Sequence, residues 1–260
     1  MIDIHSHILP NVDDGPVNYS KVIEMAKTAV EKGITHIYAT PHHLNGRYEN
    51  PKKKILESVH IINEIFNIEQ IPLNVHPGQE LRIHRDIFKT LEADEILTLD
   101  NYGEYVLLEF PSNEIPEYAQ DVVYELLLKG IIPIIVHPER NLRIQEDLQL
   151  LYELVLVGAM TQITSGSILG HFGKKIKMVS ERIIEHQLAH FIANDAHNTH
   201  SRGFFLTNAY ETITKKYGLK QTYCFNENAE QLLKGQKIKI KEPLPIKNRL
   251  FTYFENVFRN

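Results

Sequence analysis

Seven short runs of apolar and β-branched residues alternate with longer amphipathic segments along this chain, and that alternation restricts the fold more than any other feature. The runs fall at 2–4, 34–39, 73–76, 105–110, 132–136, 160–164 and 189–193. Helical periodicity covers about 19–32, 52–67, 84–92, 116–129, 145–157, 174–187, 203–217 and 227–234. In the first of these segments Val22, Ala26, Ala29 and Val30 recur at helical spacing, and Gly33 supplies a stop. Gly130 and Gly158 end two further segments in the same way. A run such as "IIPIIV" shows no polar alternation, so both faces of its strand are to be buried, which is the mark of a parallel sheet in an α/β protein.

With 260 residues the chain has the size of one α/β barrel domain. No Ser/Gly linker, low-complexity tract or internal repeat divides it, so a single domain over 1–260 is expected. An extension begins at about 240, where "EPLPIKNRLFTYFENVFRN" is a proline-broken link into a short helix. Its stripe of Leu250, Phe251, Phe254 and Phe258 is expected to pack on the domain or on a subunit partner; a homo-oligomer stays open.

Six of the seven apolar runs lead into a chemically competent group. "IDIHSH" ends in His5 and His7, and "HIYATPHH" in His42 and His43. "LNVHPGQE" reaches Glu80, "YVLLEF" carries Glu109, "IIPIIVHPER" ends in His137, Glu139 and Arg140, and "HFIANDAHN" in Asp195 and His197. In parallel α/β folds the carboxyl ends of the strands share one mouth, where sites are built. A strand-end histidine taken singly is more often a satisfied structural residue than a ligand. His-x-His and Asp-x-His are better signals, because side chains at i and i+2 project to one face and can share one ion. Their recurrence on successive strands favours a metal cluster.

The donor types narrow the metal. Imidazoles mixed with carboxylates, and no thiolate, suit manganese, iron or zinc and disfavour a structural zinc knot. Four carboxylates shared among several ions imply bridging, hence a polynuclear centre. Three divalent ions against four carboxylates leave a local charge of about +2, which invites an anionic substrate. Arg140 and Arg202 lie close in sequence to mouth positions, and guanidinium groups suit phosphate. Taken without any family, these residues point to metal-dependent hydrolysis of a phosphate ester. A net charge of −5 argues against a sequence-independent grip on nucleic acid.

The motifs "DIHSHILPNVDDGP", "ATPHH", "GQEL", "LLEFP", "VHPER" and "ANDAHN" resemble, in order, those of the PHP (polymerase and histidinol phosphatase) superfamily. More closely, they resemble its bacterial capsule and exopolysaccharide branch of manganese-dependent protein tyrosine phosphatases. The resemblance implies a distorted seven-stranded (β/α)7 TIM-like barrel, the PHP fold, and a trinuclear centre. It assigns His5 and His7 to a first metal with Asp195 and a bridging Glu80. Glu109 and His137 go to a second metal that shares Glu80, and Asp14, His42 and His197 to a third. His42 is favoured by spacing over His43, which is left as a neighbour of the ligands. Asp13 is left as the turn residue. Glu109 and Asp14 stand where many superfamily members carry histidine, which favours the tyrosine phosphatase branch over histidinol phosphatase.

The implied reaction is attack by a metal-bridging hydroxide in line with the phenolate, with no covalent phosphoenzyme. Arg140 and Arg202 resemble the residues that clamp phosphate oxygens, and with Asp195 they make up the implied catalytic set. A phenol has a pKa of about 10, so its departure needs a proton or a metal; the third metal is given that part. Manganese is the expected cofactor, with iron, zinc, magnesium or cobalt as substitutes. The expected substrate is a phosphorylated bacterial tyrosine kinase with a tyrosine-rich tail. Alternatives are a small-molecule phosphatase or phosphodiesterase on the same centre, or a non-catalytic adaptor that binds the kinase; the complete ligand set argues against the adaptor.

Cys224, in "TYCFNENAE", has no nearby arginine or Gly-rich loop of the kind a Cys-dependent phosphatase needs, and is expected to be a small buried apolar residue. One cysteine, no basic-then-apolar leader and no apolar run of membrane-spanning length make a soluble cytoplasmic protein the simplest expectation, without membrane insertion. His36 and His60 are expected to be structural, and His76 to pack near the strand ends. His84, His171, His186, His190 and His200 are expected at the surface or as caps. "PKKK" at 51–54 opens a helix as a solvated face or, with Arg47, helps to receive an acidic peptide. "SGSILG" at 165–170 reads as an ordinary turn after a strand.

Overall fold

Every expected apolar run forms a strand in the computed structural model, which describes residues 1–246. The strands are β1 (Ile2–Ser6), β2 (His36–Ala39), β3 (His42–His43), β4 (Asn74–Pro77), β5 (Glu80–Arg82), β6 (Tyr105–Glu109), β7 (Ile132–Val136), β8 (Met160–Thr164) and β9 (Phe191–Ala193). The short β3 and β5 are additions to the expected seven. The helices are α1 (Tyr19–Glu31), α2 (Lys52–Ile68), α3 (Ile87–Glu92), α4 (Ala119–Leu128) and α5 (Leu142–Glu146), followed by α6 (Gln149–Leu156), α7 (Ser165–Leu169), α8 (Lys174–Glu185), α9 (Leu206–Tyr217) and α10 (Leu219–Leu233).

All strand pairs are parallel, as unalternated apolar strands require. The ladders divide into a three-stranded sheet, β1-β2-β4, and a six-stranded sheet, β3-β5-β6-β7-β8-β9. A lone parallel bridge between Ser6 and Ala196 connects them. The division comes from breaks just after β2 and β4, where the chain leaves one sheet and resumes in the other. At the second break Gly78 packs so closely that an added Cβ would lie 2.8 Å from Leu99 and 2.9 Å from Thr40.

Adjacent residues of one strand feed different cores. In β7, Ile134 packs inward with Ile4, Tyr38, Leu107, Met160 and Phe191, while Ile135 packs under the helices with Leu108, Val123 and Ile163. Burial of each such side chain contributes about 1.5–3 kcal/mol. The stops at Gly33, Gly130 and Gly158 fall where expected, with φ of 80°, 79° and 119°.

Three expected boundaries need correction. The segment 145–157 is two helices, α5 and α6, separated by the extended backbone of Asp147. α10 begins at Leu219 and not near 227, because Gly218 at φ 86° ends α9 and reverses the chain at once. "SGSILG" is not a turn but helix α7, closed by Gly170 at φ 89°. The stripe from Leu250 to Phe258 lies outside the described residues. No helix among the described residues is long and apolar enough to cross a membrane.

Candidate metal centre

Because all strands run parallel, their carboxyl ends open on one face, and the polar groups singled out above meet there. β1 delivers His5 and, one step past its end, His7, with their Nε2 atoms 3.3 Å apart. Two imidazoles meet in this way only if their outer nitrogens are already committed. His5 Nδ1 donates to Gln162 Oε1 at 2.8 Å, and His7 Nδ1 to Asp13 Oδ2 at 2.6 Å. Both rings therefore turn an Nε2 lone pair toward the same point. Glu80 Oε2 and Asp195 Oδ1 each lie 3.3 Å from His7 Nε2 and 3.5 Å from His5 Nε2, in full burial.

Glu80, at the head of β5, is the hub. Its Oε2 is 2.7 Å from His42 Nδ1, and its Oε1 is 2.8 Å from His137 Nε2. Glu109, ending β6, places Oε2 3.7 Å from the same His42 nitrogen. On the far side Asp14 Oδ1 lies 3.2 Å from His197 Nε2 and 3.5 Å from His42 Nε2. His197 Nδ1 donates to the Asp195 carbonyl, which leaves its Nε2 lone pair free. Three overlapping groups result: His5, His7 and Glu80; His42, Glu80 and Glu109; and His7, Asp14, His42 and His197. His7 and His42 each take part in two of them.

The chemistry of this donor set fits divalent cations. His42 Nδ1, Glu80 Oε2, Glu109 Oε2 and His197 Nε2 are buried and make no hydrogen bond among the described residues, although His42 Nδ1 and Glu80 Oε2 are only 2.7 Å apart. Buried polar atoms crowded together but unpaired are costly unless an ion satisfies them. Burial and the Glu80 carboxylate beside it push the Glu109 carboxyl up to about 7. Burial works against charge on Glu80, yet His42 and His5 hold it well below the usual carboxylate range. Burial and Arg140 lower His137 to about 3, so it remains neutral and able to ligate.

Two guanidinium groups sit at the rim. Arg140 Nη2 donates to Asp195 Oδ2 at 2.5 Å, and Arg202 reaches Asp195 Oδ2 at 3.1 Å and Asp14 Oδ2 at 3.3 Å. Arg140 is aimed by its neighbours. His137 turns the chain with φ 36°, and buried Glu139 accepts from Thr164 N and Ser167 Oγ, pinning the segment to β8 and α7. Arg140 also lies over the Phe172 ring at 5.4 Å. A cavity of about 210 Å³ opens beside His42, Glu109 and His137, lined also by both arginines with Phe110, Pro138 and Ile144.

Every residue expected to touch metal or phosphate thus lies in this cluster. His42 faces it, whereas His43 turns away and its Nδ1 accepts from Asn50 N. Asp13 is more than a turn residue: one oxygen holds Gly15 N and the other holds His7. Sequence reasoning also missed Gln162, a polar side chain inside the apolar run of β8, and Arg82, which pairs with Glu109 at 2.9 Å. His76 lies outside the three donor groups; it bonds Asp100 and His36, and Asp100 also accepts from Tyr38. His190 is buried and not at the surface, its Nδ1 accepting from Thr161 N. Cys224 is only half-buried and lies 3.4 Å from Lys241 Nζ. Lys52 pairs with Asp94 and Lys54 with Asn50, so much of "PKKK" serves structure; Arg47 covers Tyr48, whose ring stacks parallel to His42.

The model of the capsular polysaccharide synthesis family CpsB/CapC matches residues 1–234. The tyrosine-protein phosphatase YwqE of Bacillus subtilis is 47% identical over 255 residues, covering 98% of this chain and all of that protein. The tyrosine-protein phosphatase CpsB of Streptococcus pneumoniae is 33% identical, covering 92% of this chain and all of that protein. A solved structure from work on YwqE and CpsB, described as unique metal-dependent tyrosine phosphatases, superimposes with a TM-score of 0.92 at 46% identity. It covers 95% of this chain and 100% of the solved one.

Proposed function

Since the chain belongs to the CpsB/CapC family of capsular polysaccharide synthesis, we propose that its metal centre makes it a protein tyrosine phosphatase acting on a phosphorylated tyrosine kinase of capsule or exopolysaccharide synthesis. The observation that carries this reading is the convergence of five imidazoles and four carboxylates beneath two arginines at the mouth of a small cavity. His5, His7, Asp195 and Glu80 are read as the ligands of one ion; Glu80, Glu109 and His137 of a second; Asp14, His42 and His197 of a third. Manganese is read as the ion, one of those that a mixed set of imidazoles and carboxylates without thiolate suits. Bound divalent ions supply an activated water as nucleophile and neutralise charge on the departing phenolate oxygen.

The chain's own groups do the rest. Arg140 and Arg202 present planar donor forks to the phosphate oxygens and hold the ester at the cavity mouth. Asp195, gripped by both, ties the phosphate clamp to the first metal's ligands. Phe110, Pro138 and Ile144 give the cavity the apolar wall that an aryl ring needs. Cys224, on α10, has no part in this arrangement, in keeping with a reaction that forms no covalent phosphoenzyme. The two sheets joined at Ser6 and Ala196 are read as the parts of one distorted (β/α)7 barrel, in a single domain working in the cytoplasm.

The test compares turnover of a phosphotyrosine peptide, histidinol phosphate and an oligonucleotide by manganese-loaded protein. A phosphotyrosine peptide turned over far faster than the others, and lost on chelation, supports the reading. Preference for histidinol phosphate or the oligonucleotide would replace it.

A further inference from the structure

Asn50, between β3 and α2, is completely buried, and each of its polar groups has a partner. Its Nδ2 donates to the Val12 carbonyl at 2.9 Å and to the His42 carbonyl at 2.8 Å. Its Oδ1 accepts from Lys54 Nζ at 2.8 Å. Its main chain donates to His43 Nδ1 at 3.0 Å and accepts from Gln79 Nε2 at 2.8 Å. The orientation of the amide follows from two sides. A carbonyl only accepts, so Nδ2 must face Val12 and His42; an ammonium only donates, so Oδ1 must face Lys54.

The two carbonyls belong to segments distant in sequence that both lead into the metal centre. Val12 precedes Asp13 and Asp14 in the β1–α1 loop. β3 is an edge strand, so the main-chain groups of His42 that turn away from β5 meet no further strand. Side chains take them instead: Asp13 Oδ2 accepts from His42 N at 3.2 Å, and Asn50 serves the carbonyl. The geometry points to Asn50 as a positioning residue that holds the Asp14 loop against His42, and so sets the ligands of the third ion. The inference rests on the three-ion reading. Asp14 is exposed, so beyond its ion pair with Arg202 at 3.3 Å its place depends on the loop that carries it. A change of the Asn50 side chain leaves the main-chain bonds to His43 and Gln79 in place, and Gln79 is the neighbour of Glu80. The ions read at His5 and at His137 are therefore spared.

The experiment compares the full chain as wild type, Asn50→Asp and Asn50→Ser. Asn50→Asp keeps the size of the side chain but turns an acceptor onto two carbonyls. Asn50→Ser keeps one hydroxyl donor, is the milder change, and serves in its place if Asn50→Asp does not fold. Crystals grown at a manganese concentration that just fills the wild type are recorded at the manganese edge. In the variant the peak among Asp14, His42 and His197 is expected to weaken while the other two keep their height. A chelator titration should show one ion bound about 10–100-fold more weakly, the range seen on loss of an orienting partner. Far-UV circular dichroism of the metal-free variant should match the wild type, and excess manganese should restore kcat on a phosphotyrosine peptide. Equal weakening of all three peaks, an unchanged third peak, or a kcat that excess manganese does not restore would overturn the role of Asn50 alone. A wild type with fewer than three peaks would overturn the three-ion reading beneath it.

Discussion

Asp13 Oδ2 accepts from His7 Nδ1 at 2.6 Å while Asp13 Oδ1 accepts from Gly15 N at 2.9 Å. One carboxylate therefore fixes both a metal-facing imidazole and the loop that carries Asp14. Removing such an orienting partner typically weakens metal binding about 10–100-fold. Asp13→Ala should show that loss in a competitive chelator titration while the far-UV circular dichroism stays that of the wild type. Unchanged affinity would show that His7 needs no partner to hold its tautomer.

Arg140 presents the same site with a planar fork. Arg140→Ala is expected to lower kcat on a phosphotyrosine peptide about 10²–10³-fold, the range seen on removal of a preorganised donor. Arg140→Lys should recover only part of this, because an ammonium cannot make the bidentate contact. Metal content, measured alongside, separates loss of phosphate binding from loosening of Asp195, which Arg140 holds at 2.5 Å.

Cys224→Ser tests the non-covalent chemistry from the other side. The thiol lies on α10 beside Lys241, apart from the metal residues. Phosphotyrosine hydrolysis should survive the substitution within about twofold and should resist thiol-alkylating reagents. Chelation should abolish it, and added manganese should restore it.

His190 gives a pH dependence that is independent of the metals. Burial lowers its imidazole to about 4 from an ordinary value of 6.5. Between those two pH values the unfolded chain binds a proton that the folded chain refuses, so stability falls as pH drops through this window and levels off below it. From pH 7 to 4.5 this one group removes about 2 kcal/mol. In His190→Asn, whose amide oxygen can still accept from Thr161 N, the fall should be shallower by about that amount. Denaturant unfolding at both pH values, in chelator, measures the difference.

The strands and the side chains that gather at their carboxyl ends were legible in the sequence because six of the seven apolar runs lead into an imidazole or carboxylate, and parallel strands bring such ends together whatever their separation along the chain. His42 could be told from His43 by spacing, and the structure shows the physical reason: His43 is occupied by Asn50 N. The supporting groups were harder to read. Asp13 resembles any Asx-turn residue until its second oxygen is seen on His7, and Gln162 and Arg82 act through partners on other strands that no local pattern announces. The split into two sheets depends on close packing around Gly78, a tertiary contact. The start of α10 was missed because "LKQTYCFNENAE" mixes polar and apolar residues without a clean period.

The central claim is that the side chains from His5 to His197 hold a cluster of ions beneath Arg140 and Arg202. Its most direct test is an anomalous difference map of a manganese-loaded crystal, recorded at the manganese edge. Three peaks are expected, one among His5, His7, Glu80 and Asp195, one among Glu80, Glu109 and His137, and one among Asp14, His42 and His197. A mouth without peaks, in crystals of protein that still hydrolyses phosphotyrosine, would contradict the account.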